Sequence, residues 1–600
     1  MTMARRVVGQ HWRQWLMWRQ RWRLSEETIH LGLAVMVGVL ASLVNLAFYG
    51  AIEWVREVAV RQPGDPVEVA EMLSPMVRFA VPAVGGLLAG VALQWGLRWA
   101  GRAGASNLLE VVVAGDGRLP FRQTLVKAFS ALVSIGTGAS IGREGPIVQV
   151  TATVASKAGD LVGSPPYRLR LLLACGAAAG MASAYNAPIA GAVFAAQIVL
   201  GNFSMNLFAP LICASVTAAV MSRSFFGIEP WYQVPDIAFT RLIQLPWFLV
   251  LGVLCGLLGA AFLKMLRESE AIFDRTNWQV ATRIAAAGVA TGILAVFHPE
   301  VWGNGYVTAS RILQGDVRYD LVILAGVLLA KLLATVTAIG AGTVGGVFTP
   351  TLFLGAALGA IFGRLLHVAG VAEALPTGAF ALVGMGSMLA ATTHSPLLAM
   401  IMIFEISLNY SLMPAIMIAC AVGTLVSQRL NPASVYTEPL RRKGLLPEAE
   451  SEKLGAAVQQ TVGDLMHEPI PPLRETATFR EIADRFLTSS HNFLPVVDTR
   501  HRLVGVVALQ DLKEHLNAGA ELQSVIAFDV MRPPPSCLTP GQSIQQALPL
   551  ILSSEMRNLP IVSDPAGARL VGTLSRNEAL GLLSEAIAPG HSPPTRSPSG

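Results

Sequence analysis

The chain has 600 residues, of which 53% are hydrophobic and only 14% are charged, and its mean hydropathy is +0.53. Soluble domains contain about 25% charged residues, so this composition excludes a large soluble enzyme and indicates a membrane protein with a soluble part. The net charge of +5 is small for this length, and we expect no nucleic-acid partner.

The first 28 residues form a basic segment, which is rich in arginine between Arg5 and Arg23. Tryptophans recur along it, as headgroup anchors do at a membrane surface. Basic residues favour the cytoplasmic side, so the segment predicts a cytoplasmic N-terminus. Arg441 to Lys443, after the last apolar stretch, predict a cytoplasmic C-terminal part. We therefore expect a multi-pass protein of the bacterial inner membrane with both termini in the cytoplasm.

Residues 29–440 contain apolar segments long enough to enter a bilayer. Some are continuous, namely Leu31–Tyr49, Phe79–Leu97, Trp247–Leu266 and Leu321–Ile339. Others are interrupted by glycine or proline, namely Leu132–Val150, Leu171–Leu200, Thr343–Gly363 and Ala381–Ile406. Interrupted helices at membrane depth occur where they are buried in protein or line a cavity, and pairs of them indicate a transport site.

The interrupted segments form two similar halves. In the first half the run GREGP, ending at Pro146, is followed by Asn186-Ala187-Pro188 and then by Gln197. In the second half the run GGVFTP, ending at Pro350, is followed by His394-Ser395-Pro396 and then by Glu405. We interpret this as an internal repeat of a transport domain.

The glycine-rich stretch Gly136–Gln149 places Arg143 and Glu144 among small and apolar residues. Pro146 suits the first turn of a helix, so an apolar helix is predicted to start near Gly145. The N-terminus of such a helix binds anions, and a carboxylate there would compete with a dissolved anion as a gate. The alternative is a tight helix crossing with a structural Arg–Glu pair.

After a linker at residues 441–456, the composition changes and a second repeat begins. Asp464-Leu465-Met466 recurs as Asp529-Val530-Met531, and Leu494-Pro495-Val496-Val497 recurs as Leu559-Pro560-Ile561-Val562. Two small α/β units are predicted at residues 457–521 and 522–588. Residues 589–600 are too rich in proline and serine to fold. The five cysteines form no disulfide or metal pattern.

At these residues the chain resembles the CLC family of chloride channels and chloride/proton antiporters. GREGP and GVFTP match two signature motifs of that family, and Lys127 is similarly placed. The soluble repeat resembles a tandem pair of CBS domains. The resemblance implies an all-α membrane domain built as an inverted repeat with broken helices, followed by a cytoplasmic α/β CBS pair. It also implies a homodimer with one chloride pathway in each subunit.

The resemblance assigns roles to individual residues. Glu144 becomes the gating glutamate, which leaves an outer anion site when chloride displaces it or a proton neutralises it. The remaining assignments are chloride-binding groups, namely the amides of Arg143, Gly145, Val347 and Phe348 and the hydroxyls of Ser106 and Tyr436. The first family signature is degraded here, and a shift of one residue would replace Ser106 by Ala105 or Asn107. Without the family, Ser106 is an ordinary helix cap and Tyr436 an interface tyrosine.

One departure from the family favours a channel. Antiporters of the family usually carry a second glutamate, the internal proton acceptor, where this chain has Ile198 after Gln197. Neither side chain titrates, so we predict a gated chloride channel that needs no cofactor. A chloride/proton antiporter, which would also carry protons, remains the alternative, because some family exchangers lack that glutamate. A fluoride exporter is less favoured.

The CBS resemblance implies a possible site for an adenine nucleotide. Its ribose would bind an acidic residue three positions after a serine or threonine, which gives Ser575 with Glu578 in the second copy. The first copy has Asp511 but carries Ala508 in place of the hydroxyl residue. The alternative is a dimerisation module without a ligand.

Other function classes are less compatible with the sequence. A sensor without transport or a CBS-bearing divalent-cation transporter remains open, but a cation path would need acidic side chains along the pore. His394 stands alone in an apolar stretch, and we interpret it as a packed core residue. We find no catalytic constellation and no metal-ligand pattern, and therefore expect no enzyme.

Overall fold

The computed structural model describes most of the chain. The described residues are 26–101, 107–113, 115–227, 232, 234, 244–371, 375–443, 445, 460–489, 491–512, 524–534, 537–554, 556–564 and 568–580. The basic segment before residue 26, Ser106, most of the predicted linker and the C-terminal tail lie outside them. The chain forms two compact units, Met1–Lys443 and Gly444–Gly600.

The first half of the membrane unit is a series of helices joined by short loops. In order they are α1 Glu26–Val60, α2 Pro66–Met72, α3 Pro75–Ala100, α4 Leu108–Val113, α5 Phe121–Gly136, α6 Glu144–Leu161, α7 Pro166–Tyr185, α8 Pro188–Phe194 and α9 Met205–Phe226. A π-helical segment, Ala195–Leu200, continues α8. Such segments are rare and are often found at functional sites.

The second half repeats this order. Its helices are α10 Leu245–Arg275, α11 Val280–Phe297, α12 Tyr306–Leu313, α13 Leu321–Gly340, α14 Phe348–Val368, α15 Thr377–Thr393, α16 Pro396–Ser407 and α17 Met413–Leu430. The 3₁₀ turn Pro299–Val301 precedes α12, and the short helix α18 Glu438–Arg442 ends the unit. Packing is also repeated, since α1 contacts α9 as α10 contacts α17, and α6 contacts α7 as α14 contacts α15.

Eight helices among the described residues are long and apolar enough to cross a membrane. They are His30–Val60, Pro75–Ala100, Leu207–Phe226, Leu245–Arg275, Val280–Phe297, Leu321–Gly340, Phe348–Val368 and Met413–Leu430. The shorter apolar helices Pro188–Leu200, Thr377–Thr393 and Pro396–Ser407 belong to the segments that the sequence predicted to be interrupted.

The predicted interruptions occur where glycine, proline or a left-handed residue ends a helix. α5 ends at Gly136 and α6 begins at Glu144, one residue before the predicted start. α7 ends on Asn186 and α15 on His394, both in the left-handed conformation, with φ of 57° and 54°. A proline begins the next helix in each half, as expected for a residue without an amide hydrogen.

The soluble unit contains two small α/β repeats. In the first, β1 Leu473–Arg474 pairs in parallel with β2 Phe493–Val497, which pairs antiparallel with β3 Leu503–Ala508, and α19 Phe479–Thr488 packs beside them. In the second, β4 Asn558–Val562 pairs antiparallel with β5 Leu570–Ser575, beside α21 Ile544–Ser553. The short helix α20 Ala527–Val530 precedes these elements.

In the soluble unit, the first helical turn of each repeat packs into the core of the other repeat. Ala527 and Val530 of α20 are buried in the core of the first repeat, and Val462 is buried in the core of the second. Each core is therefore completed by apolar side chains from the other repeat. The fold class predicted from the sequence is confirmed in both units.

Candidate functional site

The two glycine-rich turns meet in the membrane unit. The Gly142 amide donates to the Gly346 carbonyl at 2.7 Å, and the Gly346 amide donates to the Gly142 carbonyl at 2.8 Å. This antiparallel bridge brings the starts of α6 and α14 together, although their sequences lie far apart. The N-terminal amides of a helix carry the positive end of its dipole and lack partners within the helix, so the bridge creates a local environment that favours an anion.

The Glu144 carboxylate occupies this environment. Its side chain is buried, with 3% of the residue exposed. The Thr349 amide donates to Oε1 at 3.2 Å, and the Thr349 hydroxyl donates to Oε2 at 3.0 Å. A Cβ atom at Gly142 or at Gly346 would overlap the carboxyl group in this position, so glycine at both positions makes room for it. The Glu144 carboxyl group is thus held at the start of α14.

A cavity of about 250 Å³ opens beside this carboxylate, and we call it the glutamate cavity. Its wall includes most of the predicted chloride-binding residues that the structure describes, namely Gly145, Val347 and Tyr436. Ile198 and Asn107 also lie in this wall. The Tyr436 ring packs against Phe194, with centroids 5.7 Å apart. Phe348 is buried and its ring contacts Tyr185, with centroids 5.2 Å apart.

Arg143 faces a different cavity of about 590 Å³, which we call the arginine cavity. Its guanidinium lies over the rings of Tyr49 and Tyr306, 4.9 and 5.2 Å from their centroids. The cavity wall also carries charges of both signs, including Glu53, Arg56 and Asp65. The consecutive residues Arg143 and Glu144 therefore line two different cavities.

The register of the degraded signature stays a prediction. Ser106 lies outside the described residues, and Asn107 lies in the wall of the glutamate cavity. Glu110, four residues after Ser106 in the sequence, is buried and forms an ion pair of 2.5 Å with Lys443.

The sequence interpretation missed two polar groups beside the Glu144 carboxyl group and one buried lysine. Thr349 and Tyr185 contact each other through their hydroxyls at 2.7 Å. Lys331 lies within a span interpreted as apolar, and its Nζ donates to the carbonyls of Val301 and Gly303 at 2.9 and 2.7 Å. A lysine inside an apolar span is a signal that was present in the sequence, whereas nothing there pairs Tyr185 with Thr349.

The polar residues that follow Asn186-Ala187-Pro188 and His394-Ser395-Pro396 differ between the halves. Glu405 accepts hydrogen bonds from the amides of Ile189 and Ala190 at 2.9 and 2.7 Å, at the start of α8. Gln197, the matching residue of the first half, has a buried side-chain oxygen without a hydrogen-bond partner. Glu405 thus caps a helix of the other half.

The two acidic residues that were predicted to bind a nucleotide, Asp511 and Glu578, each contact a basic residue. Asp511 accepts from the Arg532 guanidinium and, at 3.2 Å, from the Ala508 amide. Glu578 lies 2.5 Å from His467. Ser575 ends β5, opposite Asn558. A cavity between strands of the two repeats measures about 20 Å³, and neither Ser575 nor Glu578 lies in its wall.

The described residues contain no group of three or more histidine, cysteine or acidic side chains placed to hold a metal ion. The features of the membrane site are paired helix starts, a buried carboxyl group and two cavities lined by consecutive residues. This arrangement can bind an anion and exchange it for an internal carboxylate.

Comparisons with known proteins agree with this geometry. A family model described as voltage gated chloride channel matches residues 84–428, and a CBS domain model matches residues 462–518 and 526–585. A ClcB-like protein of Ralstonia nicotianae is 41% identical over 416 residues, which cover 69% of this chain and 96% of the relative. The voltage-gated ClC-type chloride channel ClcB of Escherichia coli O17:K52:H18 is 34% identical, over 68% of this chain and 97% of the relative.

Solved structures share the fold. A slow cyanobacterial Cl⁻/H⁺ antiporter has a TM-score of 0.62 and 23% identity, over 70% of this chain and 98% of the other. A eukaryotic CLC transporter has a TM-score of 0.58 and 18% identity, over 92% of this chain and 98% of the other. The chain therefore belongs to the CLC family of chloride channels and transporters and carries a C-terminal pair of CBS domains.

Proposed function

We propose that the protein is a chloride channel of the bacterial inner membrane, gated by Glu144. The observation that carries the proposal is the buried Glu144 carboxylate, which accepts hydrogen bonds at the start of α14. An ionised carboxylate blocks the site because it occupies the donors that would hold chloride. Protonation removes its charge and weakens those bonds, so acid should favour the open state.

The wall of the glutamate cavity supports passive conduction. Ile198 lies in that wall, at the position where family antiporters usually have an acidic proton acceptor. Protons cross an apolar region through titratable groups or water, and an isoleucine offers neither. The ClcB relative that is named a chloride channel favours the same conclusion.

Reversal potentials in a planar bilayer test conduction against exchange. With a chloride gradient and equal pH, a passive channel reverses at the chloride equilibrium potential. Adding a pH gradient should leave that potential unchanged. A stable shift with the pH gradient would identify an antiporter, which is the second candidate because the structural neighbours include a Cl⁻/H⁺ antiporter.

Gln197 gives this test a second stage. Its buried oxygen without a partner is a group that water could contact on a proton path. If a proton-dependent shift is observed, Gln197→Ala distinguishes the route. Loss of the shift in this variant would identify a water path beside Gln197, and an unchanged shift would place the path elsewhere.

For the soluble unit we propose weak adenine-nucleotide binding through Ser575 and Glu578, with a regulatory effect on transport. A ribose diol suits a carboxylate acceptor. The His467 ring contacts the Glu578 carboxylate, so a nucleotide must compete with the ring for that carboxylate. Arg532 holds Asp511 more firmly, because guanidinium is always charged and binds carboxylates through two nitrogens; the first copy is therefore the weaker candidate site.

Calorimetry with ATP, ADP and AMP on the purified protein tests this binding. We expect His467→Ala to tighten binding and Glu578→Ala to abolish it. Absence of binding heat for all three nucleotides would leave dimerisation as the role of the CBS pair.

The assembly proposed from the family is a homodimer with both termini in the cytoplasm. Cross-linking in native membranes should give a dimer, and a protease added to spheroplasts should leave the CBS pair intact. Cleavage of the CBS pair from outside would contradict the proposed orientation.

A further inference from the structure

The hydroxyl groups of Thr349 and Tyr185 lie behind the Glu144 carboxylate, with the Tyr306 hydroxyl beside them. None of these groups is among the chloride ligands expected from the sequence. The Thr349 hydroxyl is 3.0 Å from Glu144 Oε2 and 2.7 Å from the Tyr185 hydroxyl. Thr349 is 1% exposed and Tyr185 is 3% exposed. Solvent therefore does not compete for these hydrogen bonds in the closed state.

The direction of the hydrogen bonds follows from the acceptor. An ionised carboxylate only accepts hydrogen bonds, so the Thr349 hydroxyl donates its single hydrogen to Glu144. The same oxygen then accepts the hydrogen of Tyr185. The Tyr185 ring is held between Phe348 and Tyr306, with centroid distances of 5.2 and 6.4 Å, which fixes the donor. Tyr185 thus orients Thr349 as a donor toward the anion site.

Thr351 shows that a buried threonine of this helix can direct its hydroxyl to a different acceptor from that of Thr349. It lies two residues along the same helix and is equally buried. Its hydroxyl donates to the Phe348 carbonyl of its own helix at 2.7 Å, a common arrangement for a buried helical threonine. Thr349 instead donates its hydroxyl across to the other half of the unit.

We propose that Thr349, oriented by Tyr185, is a side-chain ligand of the anion site at the start of α14. Its hydroxyl and amide hold the Glu144 carboxylate in the closed state, and they hold the permeating anion after the carboxylate leaves. This inference rests on the proposed function of Glu144 as a gate. Any residue at position 349 except proline supplies the amide, but only serine or threonine supplies a short hydroxyl donor there.

The consequence for gating has a definite sign. Removal of the hydroxyl takes a donor from the ionised carboxylate, so the closed state becomes less stable and less acid is needed to open the gate. Other charged or titratable groups surround the carboxylate and stay in place in this experiment. They are Arg143 and the phenols of Tyr185, Tyr232, Tyr306 and Tyr436.

The first experiment measures chloride flux from liposomes as a function of pH. Thr349→Val should shift the pH of half-maximal flux upward by about one unit, which is a tenfold change in proton concentration. Tyr185→Phe should give a smaller shift of the same sign. Thr349→Ser should restore the wild-type profile, and Thr351→Val is the matched control that should not change it.

The second experiment separates the two roles by repeating the substitutions in the Glu144→Gln protein. There Thr349→Val should raise the chloride concentration for half-maximal flux about threefold or more, because charge-assisted donors are the stronger kind. An effect in the wild-type background that disappears in Glu144→Gln would overturn the claim that Thr349 binds the permeating anion.

Failure of the inference and failure of the gate are distinguishable. If Glu144→Gln abolishes pH dependence while Thr349→Val and Tyr185→Phe both match wild type, only the hydroxyl ligand is refuted. If Glu144→Gln keeps the wild-type pH profile, the gate itself is refuted. Tyr185→Phe reports on the same hydroxyl if Thr349→Val does not fold.

Discussion

In the first half of the membrane unit, helix α6 begins with Glu144, and in the second half helix α14 begins with Phe348. The backbone of the two halves is similar at corresponding positions further along the chain. The residues that end α7 and α15, Asn186 and His394, have φ and ψ of 57° and 32° against 54° and 30°. The repeated backbone provides two facing helix starts, and the side chains give only one of them a carboxylate.

A second pair of positions reverses this difference. Glu405 in the second half is an acid that caps α8, and Gln197 in the first half is neutral with a buried oxygen lacking a partner. Each half thus contributes one carboxylate to a helix start of the other half. The comparison teaches that the two halves give their carboxyl groups different surroundings, since Glu144 lies beside a cavity and Glu405 caps a helix.

The largest expected effect distinguishes these two glutamates. Glu144→Gln should remove the pH dependence of chloride flux and raise flux at neutral pH about tenfold, as expected when a group that must be protonated becomes permanently neutral. Glu405→Gln should keep the pH dependence. Flux assays between pH 4.5 and 7.5 measure both, and equal behaviour of the two variants would contradict the division of roles.

Stability should show the opposite order. Glu405→Gln loses charge-assisted hydrogen bonds to two amides of α8 and should lower the free energy of unfolding by about 1–3 kcal/mol. Gln197→Leu removes a buried oxygen that has no partner and should leave stability unchanged or slightly higher. Thermal unfolding in detergent gives the ranking, and a more harmful Gln197→Leu would show that its oxygen has an unrecognised role.

A smaller difference is expected at the two left-handed residues. Glycine adopts this conformation without steric cost, and the His394 ring makes one long contact, 3.4 Å from Nε2 to the Ser427 hydroxyl. Relief of the left-handed strain should therefore outweigh the loss of that contact, and His394→Gly should stabilise the membrane unit by less than about 1 kcal/mol. Asn186→Gly should gain less, because the Asn186 side chain accepts from Arg223 at 2.7 Å. Equal gains at both positions would mean that the Arg223 contact contributes nothing.

The smallest effect concerns the soluble repeats. Asp464 accepts from the Thr461 amide and hydroxyl at 2.9 and 2.7 Å, and these bonds lower the pKa of its carboxyl. A lowered pKa stabilises the fold above the pKa of the unfolded chain, and this stability is lost as pH falls through the folded pKa. Asp464→Asn should therefore unfold at a lower temperature than wild type at pH 7 and at nearly the same temperature at pH 2.

Asp529 provides the internal control for this measurement. It is the matching residue of the second repeat and accepts from the Ile526 amide at 3.0 Å, where the chain has no hydroxyl. Asp529→Asn should thus have the smaller effect at pH 7. A larger effect there would show that the Thr461 hydroxyl is not the source of the difference.

Much of the architecture was predictable because it depends on local chemistry. The apolar spans, the glycine and proline breaks, and the repeats follow from hydropathy and from the backbone limits of glycine and proline. The position of Glu144 at a helix start followed from Pro146 and the glycines around it. Resemblance to a family added the roles of Val347 and Tyr436, which no local pattern indicates.

The sequence by itself therefore determined a helical membrane unit of two similar halves, a soluble unit of two α/β repeats, and the position of the Glu144 carboxyl group at a helix start. Only the tertiary structure decided which groups meet across the halves. Thr349 faces Glu144 and Glu405 caps α8, although the partners are 205 and 215 positions apart in the chain. In the soluble unit, Arg532 of the second repeat holds Asp511 of the first. The physical reason is that hydrogen-bond partners are set by where packed helices and strands place side chains, and the packing of distant segments leaves no periodic trace in the sequence.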